Sequence, residues 1–455
     1  MIVMKFGGTS VESREAVARA ADIVRKRQER HPVVVVSAMG KTTNKLLQAA
    51  SEAAAGRRDQ ALALVDELRG HHLTHGLALA GLASAELDRY IRAHFEWLDE
   101  LVKGLSVVGE LSPRSMDAIA SVGERLSSLV VSFAFRSAGL PVHHVDSRRV
   151  IVTDDRFTQA APLFPETFER LREIVQPAAE SSVVVMGGFI GATKEGHTTT
   201  LGRGGSDYSA SIIGAGIEAE EIQIWTDVDG MLTADPRIVP GGHRVKSISF
   251  AEAAEMAYFG AKVLHPATVL PAVEKNIPVL ILNSSRPDID GTRISSQAVP
   301  CRNPVKSISC KRGITILNIR STRMLMAHGF LRRIFEVFDR HTTSVDMVST
   351  SEVSVSLTVD DRENLPAICE EVQQFAELSV EDEHAIVCLV GENIRHTPGI
   401  AGRAFQVLRT KNIRMISQGA SLLNLGFVIA EADLGEAVAA LHKEFFSELD
   451  PAVFD

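Results

Sequence analysis

Ile2-Val3-Met4-Lys5-Phe6-Gly7-Gly8-Thr9-Ser10 is an apolar run broken by one lysine and closed by a turn of glycines and hydroxyls. Residues 14–28 follow with apolar positions at helical spacing. The pattern then returns. Residues 32–37 are an apolar, β-branched run that ends in Ser37-Ala38-Met39-Gly40-Lys41-Thr42-Thr43-Asn44 before another helical stretch. Strand, glycine or hydroxyl loop, helix, twice over, predicts a parallel α/β sheet with ligands at the carboxyl ends of its strands. Gly40-Lys41-Thr42 looks like the tail of a Walker loop, but Val35 stands where that motif needs its first glycine, so the motif is absent.

Further along, Thr198-Thr199-Thr200-Leu201-Gly202-Arg203-Gly204-Gly205-Ser206-Asp207 precedes an apolar run, residues 210–217, that reads as a helix. Glycines let backbone amides approach a ligand, and a helix start offers unpaired N–H groups and a positive dipole end. Phosphate or carboxylate oxygens suit such a place. An ordinary surface turn is the plain alternative. A dinucleotide fingerprint begun at Gly202 would need a glycine where Asp207 sits.

A chain of 455 residues implies two or three domains, and 45% hydrophobic with 23% charged residues allows a sizeable core. The net charge of −9 argues against a nucleic-acid partner. Cys301, Cys310, Cys369 and Cys388 lack metal-ligand spacing and suit free thiols in a reducing compartment. No uninterrupted apolar run approaches the roughly 18 residues of a membrane span, so the expectation is a cytoplasmic protein with no membrane partner.

Residues 46–102 read as helical with little chemistry; His71, His72 and His75 have metal-compatible spacing but no accompanying carboxylate motif. Residues 116–135 form a helix carrying Gly123-Glu124, where the glycine fits either a close backbone approach or a helix crossing. Short strands are expected at 142–145 and 150–153, and a buried one at 183–190. Residues 222–226 make another strand, ending in Asp227 and followed by Asp235-Pro236-Arg237. Such carboxylates suit a nucleotide and its magnesium, or equally a turn. Residues 261–266 begin a helix, and 278–283 form the last strand of this half.

Around residues 284–304 prolines, Gly291 and polar residues mark a linker. Beyond it the order is βαββαβ: strand 314–320, helix 329–341, strands 344–349 and 353–359, helix 365–375 and strand 379–389. A second copy follows, with helices 399–408 and 434–446 and strands 413–417 and 425–431, but it lacks one strand. The spare run 305–309 can supply it. The expected division is therefore 1–290, then 305–313 with 385–455 around an inserted 314–384.

The motifs Lys5 to Ser10, Ser37 to Asn44, Gly123-Glu124, Thr198 to Asp207, Trp225-Thr226-Asp227, Asp235-Pro236-Arg237 and Gly260-Ala261-Lys262 together resemble the aspartate kinases in order and spacing. The tandem repeats are similar to their paired ACT domains. The resemblance implies an amino-acid-kinase sheet sandwiched by helices, and MgATP-dependent phosphorylation of the L-aspartate side-chain carboxylate, the first step toward lysine, threonine and methionine. It carries Lys5 and Asp207 as catalytic residues. Ser37, Thr43, Glu124, Arg203 and Ser206 would hold aspartate. Gly7, Gly8, Thr226, Asp227, Asp235, Arg237 and Lys262 would hold the nucleotide, with no metal site made by the protein alone. Ser121-Val122 departs from the family, which often has a basic residue or histidine there, and this touches only pocket detail.

Met324, Gly329, Phe330, Leu331, Ser344, Val345, Asp346, Thr350, Ser351 and Glu352 resemble the effector site of lysine-inhibited aspartate kinases; ordinary strand ends are the alternative. The resemblance further implies a homodimer through the ACT pair, with a tetramer also open, and no fused dehydrogenase. Two rivals are a kinase for glutamate or acetylglutamate, and an amino-acid sensor whose kinase half is inactive. The first would be expected to lack the ACT pair. Lys5, Arg203, Asp207 and Lys262 argue against the second.

Overall fold

The computed structural model describes residues 1–260, 264–297, 299–320, 329–392 and 394–455, without the side chain of residue 82. They divide into two compact units, 1–231 with 246–250 and 264–298, and 232–245 with 251–263 and 299–455.

The first unit is built on an eight-stranded sheet. Its strands are β1 (Ile2–Phe6), β2 (Pro32–Val36), β3 (Val142–Val145), β4 (Val183–Gly187), β7 (Glu221–Thr226), β8 (Ser247–Ser249), β9 (Val279–Asn283) and β10 (Thr292–Ser295), in the order β3-β4-β2-β1-β7-β9-β10-β8. The strands β5 (Ile190–Ala192) and β6 (Thr198–Thr200) form a separate antiparallel ribbon. From β3 to β9 every pairing is parallel, and only β10 runs against β9. β1, β2 and β4 are buried at every residue, as strands covered on both faces must be, which explains their largely apolar runs, with Lys5 the exception in β1.

The helices of this unit start where the sequence supplies a cap. In α1 (Arg14–Arg25) the Ser13 hydroxyl accepts from Ala16 N, and in α5 (Pro113–Ser137) Ser112 accepts from Ser115 N with proline at the first position. α2 (Thr42–Ala54), α3 (Arg58–Ala80) and α4 (Ser84–Val108) pack with α5 around Leu46, Val65, Ile91, Phe95, Leu98 and Leu126. α6 (Phe164–Arg170) runs through a π-helical turn into α7 (Gln176–Ser181), and α8 (Gly205–Gly216) leads to β7.

α5 is long and apolar enough by composition to cross a membrane, but it is mostly buried inside the protein and so is a core helix. Two strands differ from the sequence reading. Residues 150–153 contribute only isolated bridges, Val152 to Ala192 and Thr153 to Pro162. The expected strand 183–190 stops at Gly187, because Phe189 takes a left-handed φ of 65° that turns the chain into β5.

The second unit carries a six-stranded antiparallel sheet in the order β12-β13-β11-β14-β16-β15. These are β11 (Ser307–Arg320), β12 (Val348–Thr350), β13 (Ser354–Val359), β14 (Glu377–Val390), β15 (Ile413–Gln418) and β16 (Asn424–Ala430). The runs 305–309 and 314–320 are one strand, not two. β11 pairs with β14 along its whole length, from Ser307 opposite Val390 to Arg320 opposite Glu377, with register shifts around Ile314. Its inner half serves β16 and β15 across β14, and its outer half serves β13 and β12. α11 (Phe330–Arg340) and α12 (Leu365–Gln373) cover one half, with Ile334, Phe338, Val355, Leu357 and Ile368 in the core. α13 (Ile400–Val407) and α14 (Leu434–Phe445) belong to the other. Among the described residues, α9 (Phe250–Tyr258) and α10 (Leu270–Glu274) remain.

Candidate active site

Parallel strands leave their carboxyl ends on one edge, and backbone bonds extend that edge into the loops. Gly7 N donates to Trp225 O (3.0 Å), Ser37 N to Phe6 O (3.0 Å) and Gly188 N to Val36 O (2.8 Å). The loops are thereby held side by side above β7, β1, β2 and β4. A cavity of about 560 Å³ opens there, lined by Lys5, Gly8, Ser37, Thr43, Glu124, Arg203, Ser206 and Asp207, with Asp117, Thr158 and Thr200 among its other walls. All seven residues expected to act on aspartate therefore share one pocket.

The cation of the site is fixed by a carboxylate. Lys5 is buried near the end of β1, and its Nζ lies 2.7 Å from Asp207 Oδ1 in the first turn of α8. The contact is an ion pair, and the ammonium's donors remain for a ligand. Arg203 differs: it is exposed and has no carboxylate within 4.0 Å among the described residues, which leaves its planar fork available to an anion. Gly204, Gly205 and Ser206 start α8 at the pocket wall, so the positive end of that helix faces the same space.

Glu124 is the opposite pole. Its Oε1 accepts from Ala38 N at 3.2 Å, while Oε2 is buried without a hydrogen-bond partner. Burial pushes this carboxyl up to about 8. A buried acceptor left over in a polar cavity invites a donor, and an ammonium is the strongest fit. Close packing places Glu124 here. A Cβ on Gly123 would lie 2.8 Å from the Ala38 Cβ, so α5 can approach the loop after β2 only with glycine at that position, and close approach is the reason for it. Ser127, one turn on, donates to Ser37 O at 2.7 Å and ties the same helix to the same loop. A Cβ on Gly188 would similarly meet Ser206 Cα at 2.8 Å, so the turn after β4 is pressed against the start of α8.

Asp117 is the residue that the sequence reading missed. Its Oδ2 accepts from Thr158 N (2.9 Å) and Thr200 N (3.0 Å), and its Oδ1 from Thr200 Oγ1 (2.6 Å). It therefore ties the loop around Thr158 and the end of β6, which leads to Gly202 and Arg203, onto α5. Asp117, Ala120 and Glu124 all line the pocket at helical spacing, one and two turns apart. That periodic signal was present, but the acceptor role depends on loops distant in sequence.

The expected nucleotide residues are less gathered. The Gly7 amide donates to Trp225 O, whereas Gly8 lines the pocket. Thr226 Oγ1 donates to Asp227 Oδ1 at 3.2 Å at the end of β7. In the second unit Asp235 and Arg237 bind one another: Arg237 N donates to Asp235 Oδ1 (2.9 Å) and the guanidinium makes a fork to both oxygens, which holds Asp235 below the usual carboxylate range. That is the geometry of a turn. Lys262 lies outside the described residues.

Of the expected effector residues, Met324 also lies outside the described residues. Gly329 caps α11 with a left-handed φ of 89°, and Phe330 and Leu331 open that helix. Ser344 is exposed, Val345 packs on the Ile334 core, and Ser351 bonds to Ser354 beside Thr350 and Glu352. Asp346 is already engaged. Its Oδ1 takes the Lys311 ammonium at 2.7 Å and the Tyr258 hydroxyl at 3.2 Å, while its buried Oδ2 has no hydrogen-bond partner.

Residues 1–283 match the model of the amino acid kinase family, and residues 387–445 match an ACT domain. The chain is 39% identical to aspartokinase 1, chloroplastic, of Arabidopsis thaliana over 98% of its own length and 80% of that protein. It is 36% identical to lysine-sensitive aspartokinase 3 of Escherichia coli, over 98% and 99%. Two solved structures of E. coli aspartokinase III are similar to it. The complex with aspartate and ADP (R-state) gives a TM-score of 0.85 at 35% identity, covering 98% of this chain and 100% of that one. The complex with lysine and aspartate (T-state) gives 0.84 at 36%, covering 98% and 99%.

Proposed function

Since the chain belongs to the aspartokinases, within the amino acid kinase family, we propose that the pocket between Lys5, Glu124, Arg203 and Asp207 is where its phosphoryl transfer takes place. The reaction is ATP-dependent phosphorylation of the L-aspartate side-chain carboxylate, which yields 4-phospho-L-aspartate and ADP. A carboxylate oxygen attacks the γ-phosphorus while the bond to the ADP oxygen breaks. The nucleophile has a pKa near 4 and is already ionised at neutral pH, so no general base is required. The task is to bring two anions together and offset the charge on the transferring group.

The observation that carries the assignment is the polarity of one cavity. Glu124 Oε2 takes the aspartate ammonium, the Arg203 fork takes its α-carboxylate, and Ser37, Thr43 and Ser206 supply further polar contacts. The side-chain carboxylate is then directed toward Lys5, which Asp207 holds in place to neutralise the phosphoryl oxygens. Gly8 and the start of α8 provide the phosphate cradle, and Thr226, Asp227, Asp235, Arg237 and Lys262 serve the nucleotide. Magnesium enters with the triphosphate and supplies neutralisation of its charge.

The second unit is the regulatory half. We divide the chain into a catalytic part, 1–290, and two ACT repeats, 314–384 lying within 305–313 and 385–455, a division supported by the continuous pairing of β11 with β14. L-Lysine inhibits by binding near Gly329, Asp346 and Glu352, where the partnerless Asp346 Oδ2 offers an acceptor for an ammonium. The lysine-bound E. coli structure supports this reading. A cytoplasmic location and a homodimer through the ACT pair complete it.

The deciding experiment is ADP release with aspartate, glutamate and acetylglutamate as acceptors. Turnover only with aspartate, giving an acyl phosphate trapped by hydroxylamine, is expected. Equal turnover with glutamate, or none with any acceptor, refutes the assignment, and an unchanged rate in millimolar lysine removes the proposed inhibition.

A further inference from the structure

α5 presents a second polar stripe, one residue along from Glu124. Arg125, Ser128, Ser132 and Arg136 fall on one face and line a separate cavity of about 460 Å³, closed by His94 of α4 and His144 of β3. Its walls are pre-organised. His94 Nδ1 bonds to Tyr90 O at 2.8 Å, which fixes the proton there and leaves Nε2 to accept from Arg125 Nη2 at 2.9 Å. Ser128 Oγ bonds to His144 Nε2 at 3.1 Å.

The charges are unbalanced in an informative way. Neither Arg125 nor Arg136 has a carboxylate within 4.0 Å among the described residues. The carboxylate of Asp146 on the same wall is taken by the Arg148 fork, and Glu86 at the rim is exposed. Burial lowers the Arg125 guanidinium to about 10, so it is still charged at neutral pH. A half-buried cation aimed into a cavity whose one nearby carboxylate, Asp146, is already engaged by Arg148 is costly unless an anion supplies further counter-charge.

We propose that this cavity is a binding site for a small polyanion carrying carboxylate or phosphate groups, held between the Arg125 and Arg136 guanidiniums and distinct from the catalytic pocket. Guanidinium forks recognise both anion types by the same bidentate geometry. The volume exceeds that of a single inorganic ion and fits a metabolite with two or three such groups.

The test uses the full chain with its catalytic pocket saturated by aspartate and ADP, in low-chloride buffer. Inorganic phosphate and citrate are titrated separately by calorimetry. At least one is expected to bind saturably, and which one does so assigns the ligand to phosphate esters or to carboxylates. Arg136→Met, at an exposed position, is expected to weaken that binding at least tenfold, with Arg136→Lys intermediate and turnover in the absence of the probe unchanged. Arg125→Met is expected to weaken it similarly, and should it fail to fold, Arg136→Met decides. Saturable binding of neither probe, or equal affinity in wild type and Arg136→Met, overturns the proposal.

Discussion

Replacing Glu124 by Gln tests the substrate pocket and the physics of a buried carboxyl together. In the folded protein burial raises this group to about 8, so at pH 7 about nine molecules in ten carry its proton. An aspartate ammonium placed against Oε2 stabilises the ionised form and expels that proton. Aspartate binding at pH 7 should therefore release close to one proton. Calorimetry in buffers of different ionisation enthalpy reads this as a slope near one for wild type and near zero for Glu124→Gln, together with a raised aspartate KM in the variant. Stability gives a second reading. A carboxyl whose folded pKa lies above its unfolded value of 4.5 favours folding fully below about pH 4.5, and that contribution is lost as pH rises toward 8. At ~1.4 kcal/mol per unit, the loss reaches a few kcal/mol. Gln keeps an acceptor for Ala38 N and does not ionise, so denaturant midpoints of variant and wild type should diverge between pH 5 and 8, in the variant's favour. Identical proton release in both proteins, together with parallel stability profiles, would refute the reasoning.

Lys5→Ala should fold normally and lose at least about two orders of magnitude in kcat, the scale of one charged transition-state contact; near-normal turnover in a steady-state assay removes Lys5 from the chemistry. Arg203→Ala should raise the aspartate KM with a much smaller change for ATP, and an unaltered aspartate KM means that the substrate pocket is elsewhere. Asp117→Ala leaves two amides and a hydroxyl without their acceptor, so urea unfolding should show a loss of ~2–4 kcal/mol. The aspartate KM should rise with it. A destabilised variant with an unchanged KM would make Asp117 purely structural.

That Lys5, Ser37 and Thr43 would meet was legible in sequence because they follow neighbouring strands of a parallel sheet, whose ends share one edge, whereas Glu124 inside α5 and Arg203 and Asp207 beyond a separate ribbon were placed only by the resemblance to aspartate kinases. What each atom does at that edge was not legible, since partners are chosen by packing. Gly7 and Gly8 look equivalent in a Gly-Gly turn, yet the Gly7 amide continues the β1–β7 ladder to Trp225 O and only Gly8 reaches the cavity wall. Polarity misled in the second unit. The residues between 309 and 314 read as a gap between two strands, but antiparallel pairing with β14 carries the chain through them by shifting register around Ile314. The same blindness to partners hides the central device of the site. Nothing near Lys5 in sequence predicts that Asp207 would anchor it, and the anchor matters because a flexible ammonium would otherwise spread over many rotamers. Held at 2.7 Å by one oxygen, the Lys5 ammonium has its position in the pocket already set.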